Sequence, residues 1–140
     1  MATPSMQTII KETKSITQEA IVELYEANRW SSAQKPEQLF KALMNSHSLI
    51  TAWDNEKLVG LGNALSDGYL VVYYPHLIVH PDYHGRGIGK KILLKLQEKY
   101  GEFHQQILVA DGDAVNFYEK CGFERAGETK PMWLYKGDDH

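Results

Sequence analysis

The chain has one cysteine, Cys121, in 140 residues, so it can form no internal disulfide, and its stability must come from a packed core. A single domain spanning 1–140 is expected, and it should bury roughly two thirds of the surface of the unfolded chain. No apolar run approaches the roughly 18 residues that read as a membrane-spanning helix, and no leader-like pattern opens the sequence. A membrane partner is therefore not expected, and a cytoplasmic location is. Charge of one sign is also scarce: 15 Lys and Arg against 18 Asp and Glu leave a formal net charge of −3. Domains that bind nucleic acid usually carry a basic excess, so nucleic acid is not an expected partner either. Repeats, low-complexity tracts and linkers are absent; only the first few residues and Gly137–His140 read as frayed ends.

The most informative stretch is Leu77-Ile-Val-His-Pro-Asp-Tyr-His-Gly-Arg-Gly-Ile-Gly-Lys-Lys-Ile-Leu-Leu94. A β-branched run stops at a proline, passes through glycines and enters an amphipathic helix. The N-terminus of a helix leaves backbone N–H groups without partners and carries roughly half a positive charge, so it can hold a phosphate. Gly85, Gly87 and Gly89 let an anion approach the backbone, and Arg86, Lys90 and Lys91 add positive charge beside it. Two familiar phosphate loops do not fit. The Walker loop needs four residues between its glycines and Ser or Thr after the lysine, whereas Gly85 and Gly89 enclose three and Lys90 precedes Lys91. In the dinucleotide fingerprint the third glycine would fall on Lys90 or Ile92.

The segment His84-Gly-Arg-Gly-Ile-Gly89 resembles the (Gln/Arg)-x-x-Gly-x-(Gly/Ala) loop of the GNAT acyl-coenzyme A N-acetyltransferase superfamily, with His84 replacing the usual first residue. Further on, Ala114-Val-Asn-Phe-Tyr-Glu-Lys-Cys-Gly-Phe123 resembles that superfamily's Ala-x-x-Phe-Tyr-x-x-x-Gly-Phe segment, in the expected order. The resemblance runs from about Leu49 to Tyr135. It implies a mixed α/β fold with a mostly antiparallel sheet, a bulged and splayed fourth strand, and flanking helices. It also implies acetyl-CoA as cosubstrate, a small-molecule primary amine as acceptor, and a homodimer, since relatives often pair. The implied cofactor-binding residues are Leu77, Ile78, Val79, His84, Gly85, Arg86, Gly87, Ile88, Gly89, Lys90, Asp111 and Tyr118. Asp111 stands where many members have Asn.

Periodicity supplies the elements. Thr8 to Thr13 reads as a first strand, and Thr17 caps a helix with Ile21, Leu24 and Tyr25 on one side. Pro36 opens a second helix whose apolar face is Leu39, Phe40, Leu43 and Met44. These two helices are expected to wall the acceptor site. Ser48 to Trp53 and Lys57 to Ala64 read as a hairpin, and Tyr69 to Val79 as one further strand in which Pro75, with no N–H for the ladder, points to a bulge or a local parting from the neighbour. Ile88, Ile92, Leu93, Leu96 and Tyr100 repeat at helical spacing up to Gly101. Gln106 to Ala110 reads as a short buried strand, Asp113 to Cys121 as a helix closed by Gly122, and Met132 to Tyr135 as a last strand.

Acetylation of an amine sets its own requirements. An alkylamine of pKa near 10 is mostly protonated at neutral pH, so a base must remove a proton before attack. Attack creates an oxyanion, for which backbone N–H groups freed at the bulge near Leu77 to Val79 are suitable donors. The departing thiolate profits from an acid. Tyr118, at the family's tyrosine position, is the candidate; the alternative is that it packs on the cofactor and hydrogen-bonds its sulfur. His76 is the candidate base, with Asp67 or a chain of waters as alternatives and a half-exposed strand histidine as the bland reading.

His76, His80 and His84 lie four apart, but that spacing aligns side chains only on a helix, and Pro81 interrupts it, so no metal is expected. Trp30, Trp53, Trp133, Tyr25, Tyr73 and Tyr74 are candidates for an aromatic acceptor pocket, with the core the better reading for Trp53. The runs Asn63–Asp67, Val79–Tyr83 and Leu108–Asp111 also look like the plant serotonin N-acetyltransferase branch, which makes arylalkylamines plausible acceptors; that branch usually has Asp where His76 stands. Cys121, before Gly-Phe with no histidine near in sequence, fits packing better than a thioester relay, so direct transfer in a ternary complex is expected. Two other readings remain open: a non-catalytic acyl-coenzyme A sensor and a protein or peptide acetyltransferase.

Overall fold

The computed structural model describes residues 8–137; the expected frayed ends fall largely outside them. The elements run β1 (Ile9–Glu12), α1 (Gln18–Ala27), α2 (Pro36–Met44), β2 (Ser48–Asp54), β3 (Lys57–Ser66), β4 (Val71–Tyr73), β5 (Leu77–Val79), α3 (Ile88–Lys99), β6 (Gln105–Ile107) and α4 (Ala114–Lys120). β1, β2, β3, β4 and β6 lie in that order across one sheet, and β5 also pairs with β3. All pairs are antiparallel except β4 with β6. This is the mixed, mostly antiparallel sheet with flanking helices that the sequence implied.

The signals for α1, α2 and the β2–β3 hairpin have visible counterparts. Thr17 Oγ1 accepts the Ala20 amide at 3.1 Å and starts α1. Pro36 occupies the first turn of α2. The β2–β3 hairpin turns at Asn55, whose φ of 54° is one that asparagine tolerates better than most residues.

The sheet divides the core between its two faces, with the alternation along β3 shifted by a bulge opposite Ala52 and Trp53. On one face α1 and α2 bury Ile21, Leu24, Tyr25, Leu39 and Leu43 against Leu49, Leu58, Leu61 and Ile78. On the other, α3 buries Ile88, Ile92, Leu93, Leu96 and Tyr100 against Ile50, Val59, Ala64, Val72 and Tyr74. α3 approaches β3 closely because Gly60 and Gly62 lie under it; a methyl on Gly62 would stand 2.8 Å from Ile92 Cγ2.

Three sequence expectations are corrected. The run from Tyr69 to Val79 is two strands, because Tyr74-Pro75-His76 leaves the ladder. The expected buried strand from Gln106 to Ala110 is only Gln105–Ile107, with Ile107 36% and Val109 57% exposed. It has the composition of a buried strand but lies at the sheet edge, paired with β4 alone among the described residues. Met132 to Tyr135 forms no strand, and Met132 and Leu134 are 92% and 102% exposed. An apolar alternating segment still needs a neighbouring strand, and here none is paired with it.

Candidate active site

The break between β4 and β5 is built by a side chain. Asn63, buried on β3, accepts the His76 amide on Oδ1 at 3.0 Å, while its own amide donates to the His76 carbonyl at 3.1 Å. Its Nδ2 donates to Ser46 Oγ at 3.0 Å. The side chain thus replaces the ladder bond lost beside Pro75 and fixes where β5 begins.

β5 then runs antiparallel to β3 with Ile78 opposite Leu61. In this register the His76 carbonyl accepts from Asn63 and the His80 amide donates to Val59 at 2.8 Å. Ladder alternation therefore turns the Ile78 amide toward β3, and the Leu77 and Val79 amides away from it. Parallel pairing of β4 with β6 ends at Tyr73 and Ile107, followed by one further bond from the Tyr74 amide to the Ile107 carbonyl at 3.0 Å. Beyond that point β5 and Leu108–Ala110 part. The expected trio of donors is reduced to two, Leu77 and Val79.

The glycine loop sits at the end of this gap. Gly85 and Gly87 adopt φ of 79° and 78°, and a Cβ on either would meet no protein atom within 4 Å. Gly87 caps α3, and the first helical bond runs from the Lys91 amide to the Gly87 carbonyl at 3.0 Å. The Ile88, Gly89 and Lys90 amides precede that bond and are the open donors of the first turn. No acidic residue occupies that turn, and Arg86, Lys90 and Lys91 are exposed around it. Ile88 itself points its side chain into the core.

His84 and Arg86 act first on the loop. His84 Nε2 lies 2.7 Å from the Val79 carbonyl, and the His84 amide donates to the Pro81 carbonyl at 3.3 Å. Arg86 Nη2 donates to the Asp82 carbonyl at 3.0 Å, and its guanidinium stacks 4.9 Å from the Tyr83 ring centre. Tyr83 Oη donates to Asp54 Oδ2 at 2.5 Å, which ties the loop to the β2–β3 hairpin; this bond, first, raises the Tyr83 pKa above its ordinary value. Tyr83 and Asp54 were not singled out from sequence. The Tyr next to the loop was the available signal.

α4 closes the other side. A methyl on Gly89 would lie 3.6 Å from both Phe117 Cζ and Val79 Cγ2, so the loop, β5 and α4 meet at that glycine. Tyr118 is half-buried against the same core cluster as Leu77 and Val79, and burial above all raises its pKa. Cys121 follows it, with its thiol pKa also raised, chiefly by burial, against an opposing effect of Lys90. The Asp111 carbonyl accepts the Ala114 amide at 3.0 Å at the start of α4, while the side chain lies exposed.

His76 lies on the opposite face. Its Nδ1 is 2.7 Å from Tyr25 Oη, and its ring packs 5.3 Å from the Trp30 ring. Burial pushes the Tyr25 pKa far up, so the phenol stays neutral. A shallow groove of about 690 Å³ runs along α1 past Glu19, Glu23, Glu26 and His80.

The alternative base Asp67 is committed elsewhere. Its Oδ1 accepts the Tyr69, Leu70 and Val71 amides at 2.8, 2.8 and 3.2 Å, and these bonds hold its pKa below the ordinary value. It shapes the β3–β4 turn and is a weak base. His80 Nδ1 accepts the Asp82 amide, so His76, His80 and His84 each engage different groups. Of the expected aromatics, Tyr25 and Trp30 flank His76. Tyr74 is buried and donates to Gln106 Oε1 at 2.6 Å, Trp53 donates to Thr51 Oγ1 at 2.8 Å on β2, and Tyr73 is 36% exposed beside the sheet edge.

A glycine-rich helix start at the mouth of a splayed strand, with a tyrosine on the following helix, defines an acyltransferase-type site. The chain matches the Acetyltransferase (GNAT) domain model over residues 12–132 and belongs to that family. It is 38% identical over 101 residues to the uncharacterized N-acetyltransferase ycf52 of Pyropia yezoensis, a match covering 67% of this chain and 58% of the relative. The chain thus spans little more than half of that protein. Against ycf52 of Porphyra purpurea it is 27% identical over 134 residues, covering 90% of this chain and 76% of the relative. In structure it is similar to a GNAT-family acetyltransferase from Streptococcus pneumoniae TIGR4, with a TM-score of 0.81, 29% identity, and coverage of 93% of this chain and 99% of the other.

Proposed function

We propose that the protein transfers the acetyl group of acetyl-CoA to the primary amine of a small molecule by direct attack in a ternary complex. The observation that carries this reading is the meeting of the phosphate-type loop, the open edge of β5 and α4 at Gly89. The pyrophosphate of acetyl-CoA would lie on the Ile88, Gly89 and Lys90 amides with Arg86 and Lys90 beside it. The pantetheine amides and the developing oxyanion would take the Leu77 and Val79 amides.

The amine enters from the α1 face, where the carboxylates of Glu19, Glu23 and Glu26 favour a cationic acceptor. His76 Nε2 takes the amine proton, directly or through water, which requires the tautomer whose Nδ1–H faces Tyr25 Oη, 2.7 Å away. The amine nitrogen bonds to the acetyl carbon and the C–S bond breaks. Tyr118, kept protonated by burial, donates its proton to the thiolate. Base and acid come from opposite sides of β5, which suits two substrates meeting in the gap. The working unit is proposed as a homodimer in the cytoplasm.

The test is release of free coenzyme A thiol from acetyl-CoA with a panel of aryl, aliphatic, aminoglycoside and peptide amines. Amine-dependent release with the small amines supports the proposal. Release only with peptides replaces the substrate class, and tight acetyl-CoA binding without release under any amine makes the protein a sensor.

A further inference from the structure

Among the described residues one buried side-chain oxygen has no hydrogen-bond partner, Oδ1 of Asp54. A carboxylate kept in that state costs stability, and beside a phosphate-type loop it also repels a bound anion. Its other oxygen accepts from Tyr83 Oη at 2.5 Å. Tyr83 is the buried side chain of the turn Pro81–Tyr83, which leads into the glycine loop. Three groups converge on its ring: the Arg86 guanidinium at 4.9 Å from the centre, Lys57 Nζ at 5.8 Å, and the His80 ring, edge-on at 5.8 Å. Lys57 faces Asp54 across the β2–β3 hairpin. The hairpin therefore receives the ring through both residues, the phenol hydroxyl on Asp54 and the ring beside Lys57.

The other bonds of this loop are local. His84 reaches the Val79 carbonyl and Arg86 the Asp82 carbonyl, both within the run from β5 to the loop, and a methyl on Gly85 or Gly87 would touch no neighbour. The Tyr83–Asp54 bond reaches a different element, 29 positions away. It also sets Arg86, whose guanidinium rests on the ring that Asp54 fixes. One guanidinium N–H of Arg86 is used on the Asp82 carbonyl, and the others are donors for a phosphate. We propose that Tyr83 and Asp54 are positioning residues for acetyl-CoA: the carboxylate anchors the phenol, and the ring holds Arg86 and the turn before Gly85 in the conformation that takes the pyrophosphate. This rests on the reading of the loop given above and adds the residues that preorganise it. Holding the loop before the ligand arrives removes an ordering cost from binding. The acyl-transfer step, at the other end of the cofactor, is left untouched.

The experiment compares coenzyme A binding by calorimetry, and initial rates, for wild type, Asp54→Ala, Asp54→Asn and Tyr83→Phe, with circular dichroism verifying each fold. Charge alone predicts that both Asp54 variants bind the anionic ligand more tightly. Positioning separates them. Asp54→Ala removes the anchor and Tyr83→Phe the hydroxyl, whereas the amide oxygen introduced by Asp54→Asn still accepts from the phenol. Kd for coenzyme A should rise about tenfold in Asp54→Ala and Tyr83→Phe, the scale of one charge-assisted hydrogen bond. KM for acetyl-CoA should rise with it while kcat at saturation stays within about twofold. Asp54→Asn should bind at least as tightly as wild type. Tyr83→Phe/Arg86→Ala should weaken binding by less than the two single substitutions combined, because the ring acts in part through that guanidinium. Asp54→Ala or Tyr83→Phe binding as wild type does, or kcat falling as far as affinity, overturns the proposal alone. If Asp54→Ala does not fold, Tyr83→Phe, which keeps the packed ring, decides. A wild type that binds no coenzyme A overturns the reading of the loop, and the proposal with it.

Discussion

Tyr25 Oη and His76 Nδ1 stand 2.7 Å apart although 51 positions separate them in the chain. The pair joins the first helix to the last residue of the β4–β5 break. It also fixes what His76 can do. For Nε2 to accept a proton, Nδ1 must keep its hydrogen and donate it to the phenol oxygen. The imidazolium formed afterward is stabilised by the same acceptor.

Tyr25→Phe removes that acceptor while keeping the ring that packs against Trp30. His76 then loses the partner that fixes its ring orientation. Loss of orientation should lower kcat by about tenfold, the equivalent of roughly one hydrogen bond. An unchanged kcat would remove the Tyr25–His76 pair from the reaction.

Tyr118→Phe should leave coenzyme A affinity within about twofold and reduce kcat by roughly 100-fold, within the usual range for a lost general acid. Because burial raises the Tyr118 pKa above its ordinary value near 10, the alkaline limb belonging to this group should lie above pH 10. Isothermal calorimetry and initial rates separate the two effects. A loss of affinity with kcat intact would assign Tyr118 to packing on the cofactor.

The loop, the helices and their apolar faces were legible because their signals are local. Glycine spacing, Pro36 and the Ile88–Ile92–Leu96 periodicity each act within a few residues. The parting of the strand at Pro75 was legible for the same reason: proline lacks the donor. How the gap is held open was not, because Asn63 and Ser46 reach the break from other elements. The Tyr25 contact was hidden likewise, and Tyr83–Asp54 spans 29 positions. The exposed edge of β6 and the solvent-facing Met132 and Leu134 contradicted their composition because an apolar strand is recognisable in sequence, while its neighbour is not.

Cys121→Ala tests for a thioester relay through the protein. Burial holds the thiol pKa above its ordinary value, which lowers the fraction present as the nucleophilic thiolate at neutral pH. The variant should therefore retain kcat within about twofold. No acetyl-enzyme should appear by mass spectrometry when wild type is mixed with acetyl-CoA alone. Complete loss of turnover, or an acetylated Cys121, would replace direct transfer with a two-step path.

Gly87 and Gly89 predict opposite outcomes for the same substitution. Gly87 holds φ at 78°, where alanine is strained, and no protein atom would touch the new methyl. Gly87→Ala should therefore cost about 1 kcal/mol of stability through backbone conformation alone. It should also raise KM for acetyl-CoA, because the methyl projects into the space proposed for the pyrophosphate. Gly89 is helical, and its methyl would meet Val79 and Phe117 at 3.6 Å, an ordinary contact. Gly89→Ala should leave stability unchanged or raise it by up to about 1 kcal/mol, the helix preference for alanine over glycine. Chemical denaturation and KM for both variants check this pair. A Gly87→Ala protein with wild-type KM would move the phosphates off this loop, whatever its stability.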